Sequence, residues 1–328
     1  MNGKYVRITG TGSAAPDRVL TNADLEKMVD TSDEWITART GIKERRIASE
    51  GLAASDYAYE ASIKALEMSG VSAGELDLII LGTVTPDAPL PSTACILQDK
   101  LAARKAAVVD IVAACSGFIY GLEYAKAMIQ TGLKERVLVL GVETLSKIVN
   151  WKDRNTCVLF GDGAGAAIVV PSNKPGGILA TYTMADGSLA HLLRVPAGGG
   201  RMPISYDNIG NGDRYIQMRG PEVFKSAVRA MGEAAVAILE KSGTDSEDID
   251  LMIPHQANIR IIEATAKRIK LPMDRVFVNI HKYGNTSAAS IPIALDEAVR
   301  TNRIKPGDKI MLVAFGAGFT WGSVLVEW

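Results

Sequence analysis

Short runs of consecutive apolar residues alternate along the chain with longer segments of mixed polarity. The runs are rich in valine, isoleucine and leucine and occupy residues 76–82, 106–112, 136–142, 166–170, 250–253, 275–280 and 309–315. Their apolarity is continuous rather than alternating, which predicts strands that are covered on both faces. Such strands between helical segments are typical of layered α/β folds, and this is the fold class that the pattern predicts.

Two of the longer segments predict amphipathic helices. Residues 54–70 and 221–243 carry apolar side chains at helical spacing, and they end at Gly70 and Gly243. Glycine is the residue that most readily adopts the left-handed conformation that closes a helix. We therefore expect each helix to stop at its glycine.

An internal repeat with an offset of about 173 residues relates the two parts of the chain. Three matches hold this register, and they pair 66–70 with 239–243, 76–80 with 249–253, and 137–140 with 310–313. The repeat predicts two similar α/β halves, at residues 1–171 and 172–328, joined at the turn-rich stretch 171–177. The glycine-rich stretch 196–213 shows little periodicity and is expected on the surface, over a site or at an interface.

The composition of the chain excludes several classes of function and leaves the predicted fold class unchanged. The chain has 328 residues, of which 47% are hydrophobic and 22% charged, and its formal net charge is −1. This balance gives no overall basic field for nucleic acid. The amino terminus lacks the apolar stretch of a signal peptide, and no apolar run is long enough to cross a membrane. Three cysteines do not make a disulfide framework, so we expect a cytoplasmic protein that binds neither nucleic acid nor membrane.

Cys115 lies where a predicted strand turns into a predicted helix. It follows the apolar run 106–112 and comes shortly before the helical segment 118–132. The free N–H groups and the positive dipole end of a helix amino terminus stabilise a thiolate, and small neighbouring residues leave room for a substrate. A buried structural cysteine is the competing interpretation, and it is the one we give Cys95 and Cys157.

Two further polar residues occupy related positions in the second half. His255 follows the run 250–253, and the repeat offset matches it to Gly82 at the end of the equivalent strand. Asn285 lies in a strand-to-helix turn like the one that carries Cys115. Strand carboxyl ends are where α/β sheets place ligand chemistry, so we expect the three residues to share one site. Taken singly, a core histidine and a helix N-cap are the competing interpretations.

Glycine turns are the remaining candidates for ligand contact. The run 309–315 leads into the turn 316–318, where a backbone N–H suits an oxyanion hole, although most such turns are only turns. The glycine patterns at 10–15 and 161–166 fit the loose dinucleotide-binding spacing, but neither leads from a strand into a helix. The chain also has no Gly-Lys-Ser/Thr phosphate loop, so a nucleotide cofactor is not expected.

Several segments resemble β-ketoacyl-acyl-carrier-protein synthase III, and they do so in order along nearly the whole chain. The segments are 22–26, 31–35, 39–42, ACSGF at 114–118, PHQAN at 254–258, YGNTS at 283–287 and FGAGFTWG at 315–322. The resemblance implies the thiolase fold, in which two βαβαβαββ halves form a five-layered αβαβα core. It also implies a homodimer. The internal repeat supports the two halves independently.

The resemblance further implies an initiating condensing enzyme of fatty acid biosynthesis. Cys115 would take the acyl group of an acyl-CoA primer, with acetyl-CoA as the expected primer. Malonyl-acyl-carrier protein would then lose CO₂, and neutral His255 and Asn285 would bind the enolate oxygen. The backbone N–H groups of Cys115 and Ala317 would surround the oxyanion formed as 3-ketoacyl-acyl-carrier protein is made. No metal or other cofactor is implied, because the CoA thioester is a substrate.

Binding and selectivity residues also follow from the resemblance. The CoA contacts would be Thr31, Trp35, Arg39, Arg154, Gly220, Phe224, Ala257 and Asn258. The acidic carrier protein would dock on Lys225, Arg260, Lys267 and Arg268. Leu90 falls where the family places a residue that closes the acyl pocket across the dimer, and a flexible leucine would admit longer or branched primers. Solvated surface is the competing interpretation of the charged residues.

Other functions are compatible with parts of this pattern. A relative of secondary metabolism would share Cys115, His255 and Asn285, a cysteine hydrolase would share their order, and a binding protein would share only the fold. A degradative thiolase would carry a second cysteine in the turn 316–318, which has none. The family often has glycine in place of Ala317, and an alanine with positive φ there would be strained.

Overall fold

The structure is a computed structural model that describes residues 5–328. The strands of the first half are β1 (Tyr5–Ala14), β2 (Val19–Thr21), β3 (Glu44–Arg46), β4 (Leu78–Gly82), β5 (Ala107–Ile111), β6 (Val137–Thr144) and β7 (Asp162–Ser172). Its helices are α1 (Asn22–Leu25), α2 (Asp33–Thr40), α3 (Ala54–Ser69), α4 (Thr93–Lys100), α5 (Gly117–Gln130) and α6 (Arg154–Cys157). The strands of the second half are β8 (Gly177–Ala185), β9 (Leu193–Arg194), β10 (Gln217–Met218), β11 (Leu251–Pro254), β12 (Lys309–Gly316) and β13 (Thr320–Glu327). Its helices are α7 (Gly220–Ser242), α8 (Ile259–Arg268), α9 (Ile280–Tyr283) and α10 (Ser290–Arg300).

Each half is built around one mixed sheet. The first sheet has the strand order β1-β7-β6-β4-β5, and the second has the order β8-β13-β12-β11. β4 and β6 run parallel, as do β11 and β12, whereas the pairs that lead outward to β1 and to β8 are antiparallel. The second sheet therefore repeats the topology of the first, without a counterpart of β5.

Helices cover both faces of each sheet, which gives five layers. α3 and α4 pack on the outer face of the first sheet, and α7 and α8 pack on the outer face of the second. α5 and α10 lie between the sheets, where Phe118, Leu122 and Leu295 join a core that both sheets share. Strands that are buried on both faces need continuous apolarity, which accounts for the runs in the sequence. The arrangement confirms the α/β class and the five-layered core expected from the resemblance.

Residues that the repeat offset relates also have similar backbone conformations. Gly70 and Gly243 close α3 and α7 with φ angles of 70° and 64°, as predicted. Two single 3-10 turns, beginning at Ala114 and at Ser287, precede α5 and α10. Ala114 and Ser287 have φ angles of 45° and 48°, a region that residues with side chains rarely adopt. Such conformations concentrate at functional sites, and both turns adjoin residues predicted to react.

The run 275–280 is not a strand, contrary to the prediction. Val276 forms a single bridge to β11, and the chain then enters α9 at Ile280. The side-chain oxygen of Gln256 accepts the N–H groups of Asn279 and Ile280, at 3.0 and 3.1 Å. A side chain thus provides the acceptor that a neighbouring strand would provide, and an apolar pattern cannot reveal this.

The prediction that the strand at 106–112 is covered on both faces is wrong for this chain. β5 is the edge of the first sheet, and Val109 and Val112 are 43% and 80% exposed. No strand of residues 5–328 pairs with the outer side of β5. An exposed apolar edge strand is a surface to which a second chain can add.

The stretch 196–213 lies at the surface of the molecule. The glycine-rich stretch 196–213 is largely exposed and carries only an isolated bridge between Gly199 and Met202, as expected of a surface excursion. Across residues 5–328, no helix combines the length and the apolarity needed to cross a membrane.

Candidate active site

A cavity of about 770 Å³ brings three of the predicted residues together. Cys115, His255 and Asn285 all line it, together with Phe315 and Gly316 at the end of β12. The first comes from the turn before α5, the second from the end of β11 and the third from the segment before α10. The site is therefore assembled from strand ends and helix starts of both halves, as the sequence predicts.

Cys115 lies in the 3-10 turn directly before the first residue of α5. Its side chain is partly exposed to the cavity, although protein atoms surround it closely. Burial raises the pKa of the thiol to about 12, the nearby Ser287 hydroxyl opposes this rise, and the charge of Glu143 adds to it. The resting thiol is therefore protonated at neutral pH, even though a helix amino terminus by itself favours thiolate.

His255 follows β11, and its N–H donates to the Val313 carbonyl at 2.8 Å. Its Nδ1 lies 2.6 Å from the Ser290 hydroxyl, so Nε2 is the ring nitrogen left for the cavity. The residue is 2% exposed, and burial lowers the pKa of its imidazole to about 3. A neutral imidazole can donate one hydrogen bond from Nε2.

Asn285 is fixed by its backbone and by its own amide. Its N–H donates to the Leu159 carbonyl at 2.8 Å, and its carbonyl accepts from the Gly161 N–H at 2.9 Å. The side-chain Oδ1 accepts the N–H of Ser287 at 2.9 Å. The Nδ2 group is therefore the part of the amide that can donate into the cavity.

The glycine turn after β12 runs against the Cys115 backbone. A Cβ atom at Gly316 would lie 2.6 Å from the Cys115 nitrogen, so a larger residue could not approach this closely. Among the backbone hydrogen bonds of residues 5–328, none engages the N–H of Cys115 or of Ala317. Ala317 does not have a positive φ angle, so the strain considered from the sequence is not found. Two N–H groups without a backbone carbonyl partner, one of them on the reactive cysteine itself, suit an oxyanion.

Most residues predicted to contact CoA line the same cavity. These are Trp35, Arg39, Gly220, Phe224, Ala257 and Asn258. Thr31 and Arg154 do not line it. The guanidinium groups of Arg39 and Arg154 lie 4.8 and 5.1 Å from the centroid of the Trp35 ring. A flat aromatic ligand that stacks between Trp35 and Arg154 must first displace the Arg154 side chain.

The predicted docking residues do not form one cluster. Arg260 lines the cavity and lies 5.1 Å from the centroid of the Phe224 ring. Lys225 is exposed on α7, whereas Lys267 and Arg268 are in the last turn of α8. The helix separates Arg260 from Arg268 by about 12 Å, at 1.5 Å per residue. Of the four residues, Arg260 is the one that reaches the cavity.

Three further residues lie away from the cavity of this chain. Leu90 is 85% exposed and does not line it. Cys95 is exposed on α4, and its interpretation as a packing residue is therefore wrong. Cys157 is buried, as expected of a packing residue.

Sequence reasoning missed three residues that surround the reactive side chains, two of them in direct contact. Ser290 contacts the imidazole, Ser287 contacts both the amide of Asn285 and the thiol, and Glu143 contacts Ser287. The two serines lie in the segment that follows Asn285, within reach of the motif that carries the resemblance. Glu143 is a carboxylate directly after an apolar run, which is itself a signal of a specific role.

The chemistry of the cavity therefore comes from a thiol and from uncharged hydrogen-bond donors. Within the part of the chain that the structure describes, no group of three His, Cys, Asp or Glu side chains is placed to hold a metal ion. The arrangement suits nucleophilic attack by sulfur and stabilisation of an oxygen anion by preorganised donors.

Known proteins are similar in sequence to this chain over nearly its whole length. Residues 109–187 match the family 3-Oxoacyl-[acyl-carrier-protein (ACP)] synthase III, and residues 239–328 match 3-Oxoacyl-[acyl-carrier-protein (ACP)] synthase III C terminal. The chain is 59% identical to the beta-ketoacyl-[acyl-carrier-protein] synthase III of Caldanaerobacter subterraneus subsp. tengcongensis, over 98% of this chain and 97% of that protein. It is 53% identical to the enzyme of the same name from Symbiobacterium thermophilum, over 100% and 99% of the two chains.

Solved structures agree with the sequences. The crystal structure of 3-oxoacyl-[acyl-carrier-protein] synthase III from Aquifex aeolicus VF5 matches with a TM-score of 0.92 and 52% identity, over 98% of this chain and 100% of that one. More than half of the residues of the two chains are therefore identical, and the two chains have the same fold. The chain belongs to the 3-oxoacyl-[acyl-carrier-protein] synthase III family of condensing enzymes and has the thiolase fold.

Proposed function

We propose that this chain catalyses the initiating condensation of fatty acid biosynthesis. An acyl-CoA primer, with acetyl-CoA as the first candidate, condenses with malonyl-acyl-carrier protein to give 3-ketoacyl-acyl-carrier protein, CoA and CO₂. The observation that carries the proposal is the convergence of Cys115, His255 and Asn285 on one cavity. Membership of the family supports the reaction, and the cavity geometry supports the choice of residues.

Cys115 is the proposed nucleophile of the first half-reaction. Its sulfur attacks the thioester carbonyl, a bond forms between Sγ and the acyl carbon, and the bond to the CoA sulfur breaks. The N–H groups of Cys115 and Ala317, which have no backbone carbonyl partner, are the proposed donors to the carbonyl oxygen as it gains charge. The product is an acyl thioester on Cys115.

His255 and Asn285 are the proposed donors of the second half-reaction. When the malonyl group loses CO₂, the electron pair it leaves behind forms an enolate, and its oxygen becomes negative. His255 Nε2–H and the Asn285 Nδ2 group supply two neutral hydrogen bonds to that oxygen. The enolate carbon then attacks the acyl carbon, and the bond to the Cys115 sulfur breaks.

The CoA site is proposed along the wall of the cavity that carries Trp35. The thioester arm follows the lining residues named above, and the adenine stacks on Trp35 after Arg154 has moved. In this structure Arg154 donates to the Asp30 carbonyl at 2.6 Å, a contact that this movement breaks. The Thr31 hydroxyl is buried without a partner, which fits a contact that forms only when the ligand is bound.

A second chain and a carrier protein complete the proposal. We place the homodimer contact at the exposed edge β5, which brings Leu90 to the acyl pocket of the other subunit. Arg260 at the cavity is the proposed first contact of the acidic carrier protein, with Lys225, Lys267 and Arg268 as a wider basic surface. Electrostatic attraction of this kind raises the rate of association more than the affinity.

The proposed chemistry needs no metal or redox cofactor. Decarboxylation supplies the electron pair for the new carbon–carbon bond, and the thioesters supply both leaving groups. We propose the cytoplasm as the place of the reaction, since its substrates are soluble thioesters.

Transfer of label tests the proposal. The protein is incubated with radiolabelled acetyl-CoA, malonyl-acyl-carrier protein is added, and Cys115→Ser is treated in parallel. We expect label on wild-type Cys115 that moves to a carrier-bound 3-ketoacyl product with release of CO₂, and no label on the variant. Acylation only by longer acyl-CoA primers keeps the mechanism and changes the primer.

A related priming enzyme is the second candidate. The priming β-ketosynthase from the R1128 polyketide biosynthetic pathway is 33% identical to this chain, with a TM-score of 0.91. The higher identity to the fatty acid enzymes favours the first candidate. Acylation that is followed only by hydrolysis, or by transfer to a small acceptor, contradicts the first candidate.

A further inference from the structure

Glu143 is a completely buried carboxylate near the end of β6. Its carboxyl group accepts from the Thr85 hydroxyl at 2.6 Å, the Thr83 hydroxyl at 3.3 Å, the Val84 N–H at 3.2 Å and the Ser287 hydroxyl at 3.0 Å. All four donors are uncharged, so none of these contacts balances a negative charge. A buried carboxyl without a cation is costly to ionise, and its presence calls for a specific role.

Ser287 links this carboxyl group to the reactive thiol. Its hydroxyl donates to Glu143 Oε1 at 3.0 Å, and it interacts with the Cys115 thiol where the turns that begin at Ala114 and Ser287 pack together. The groups that face Glu143 from neighbouring elements are Thr83, Val84 and Thr85 after β4, Gly163 on β7, Ser287 before α10, and Cys115 before α5. Of these, the Cys115 thiol is the one that carries a titratable proton. A single hydroxyl therefore connects the thiol to a carboxylate.

The resting site needs a base that the three predicted residues do not provide. Cys115 is protonated because burial raises the pKa of its thiol, and burial lowers the pKa of His255 to about 3, which makes it a weak base. Burial raises the pKa of Glu143 to about 7. A general base acts best when its pKa is close to the pH of the reaction, and Glu143 meets this condition.

We propose that Glu143 is a positioning residue that, through Ser287, takes up the Cys115 proton and keeps it while the enzyme is acylated. The inference rests on the proposed function. As Sγ attacks the thioester, the Sγ–H bond breaks, the proton passes to Ser287 Oγ, and the Ser287 proton passes to Glu143. The departing CoA thiolate takes a proton from water. When condensation breaks the bond between Sγ and the acyl carbon, the stored proton returns to the sulfur by the same path.

This relay also changes the charge that the second substrate meets. The resting cluster carries one negative charge on Glu143, and the acylated cluster is neutral. A malonyl carboxylate therefore approaches an acyl-enzyme that has no buried negative charge next to Cys115. The charge that leaves with the CoA thiolate is the charge that Glu143 has given up, so protons and electrons balance in each half-reaction.

Alkylation of Cys115 by iodoacetamide tests the relay without acyl-CoA or carrier protein, so its failure is distinct from failure of the proposed function. A Cys95→Ser parent removes the exposed thiol. In this parent we expect the alkylation rate to rise with pH through an inflection near 7, where Glu143 ionises. We expect Glu143→Gln and Ser287→Ala to lose this inflection and to react about 10- to 100-fold more slowly at pH 8.

The two variants and one control separate the relay from a structural effect. Glu143→Gln preserves the shape of the side chain, and Ser287→Ala preserves the carboxyl with its three other donors. Asp162→Asn removes a different buried carboxyl, which accepts from the Ala48 and Ser146 N–H groups and does not contact Cys115. Survival of the inflection in either variant, or its loss in Asp162→Asn to the same extent, overturns the proposal.

Infrared difference spectroscopy gives a second readout that structural damage would not mimic. Addition of acyl-CoA to the parent should produce the carbonyl band of a newly protonated carboxylic acid. The band should be absent from Glu143→Gln under conditions in which Cys115 is acylated. An acylated parent without the band contradicts the proposal even when the alkylation results agree with it.

Discussion

The Ser290 hydroxyl lies 2.6 Å from His255 Nδ1, and the Gln256 N–H points at the same hydroxyl oxygen from 3.4 Å. A hydroxyl that accepts from the backbone still has its own proton to donate, and we assign that proton to Nδ1. In this tautomer the single imidazole proton is on Nε2, on the side of the cavity. The assigned tautomer is the one that a hydrogen-bond donor to an enolate requires.

Ser290→Ala should slow condensation while leaving acylation of Cys115 nearly unchanged. A buried group that loses its partner costs about 1–3 kcal/mol. In a transition state this corresponds to a roughly 10- to 100-fold fall in kcat. CO₂ release from malonyl-acyl-carrier protein, measured on pre-acylated enzyme, checks the effect.

Ser323→Ala is the matched control for the Ser290 variant. It also removes a buried serine hydroxyl, one that donates to the Ala234 carbonyl at 2.7 Å in the second half of the chain. We expect a similar loss of stability and no specific loss of CO₂ release. Equal rates for the two variants would mean that Ser290 contributes only to stability.

Asn285→Asp should separate the two half-reactions more sharply. The Ser287 N–H can still bind a carboxylate oxygen, so the side chain keeps its place, but the Nδ2 donor becomes a second negative oxygen. That oxygen repels the enolate, and we expect CO₂ release to fall by about 100-fold or more. The acylation burst with radiolabelled acyl-CoA should remain within a few-fold of wild type. A parallel loss of both half-reactions contradicts this assignment of Asn285.

The buried imidazole of His255 also makes stability depend on pH. Its pKa is lowered to about 3 in the folded chain, whereas an unfolded histidine titrates near 6.5. Between these values the unfolded state binds the extra proton, so the free energy of unfolding falls as the pH falls. The contribution is at most about 1.4 kcal/mol per pH unit. Glu143 contributes with the opposite sign, because its pKa is raised to about 7.

A variant isolates the histidine contribution from that of Glu143. His255→Asn keeps a polar side chain that does not titrate, and both proteins contain Glu143. Urea unfolding at several values between pH 4 and 7 should give a steeper loss of stability on acidification for wild type than for the variant. Parallel pH profiles would show that His255 is protonated in the folded state or titrates alike in both states.

The candidate site could be predicted from the sequence where a reactive side chain stands at the end of a predicted strand. Cys115 and His255 each follow a continuous apolar run, and the carboxyl ends of strands are where α/β sheets place ligand chemistry. Gly70 and Gly243 closed their helices as predicted, because a left-handed cap is decided by the residue itself. These features depend on neighbours in the sequence or on a repeat that the sequence displays.

Side-chain contacts between distant segments could not be predicted from the pattern of apolar and polar residues. The prediction of a strand at 275–280 failed because the side chain of Gln256 replaces a backbone partner. Ser290 is separated from His255 by 35 residues, and Glu143 from Ser287 by 144. Hydroxyl and carboxyl groups have many local uses, so only the fold shows which of them meet.

The exposed edge of the first sheet gives the last prediction. β5 has one paired side, and Val112 directly after it is 80% exposed. In a homodimer joined at this edge, Val112 becomes buried, and Val112→Lys places a charge in an apolar contact. Burial of an unpaired charge is expensive, so the variant should sediment as a monomer at concentrations where wild type is a dimer.

Leu133→Lys, which changes a 69% exposed leucine beyond α5, should leave the dimer intact. In the proposed dimer Leu90 reaches the acyl pocket of the other subunit, so the Val112 variant should also lose discrimination among acyl-CoA primers. A dimeric Val112→Lys protein with unchanged primer selectivity would remove β5 from the interface and Leu90 from the acyl pocket.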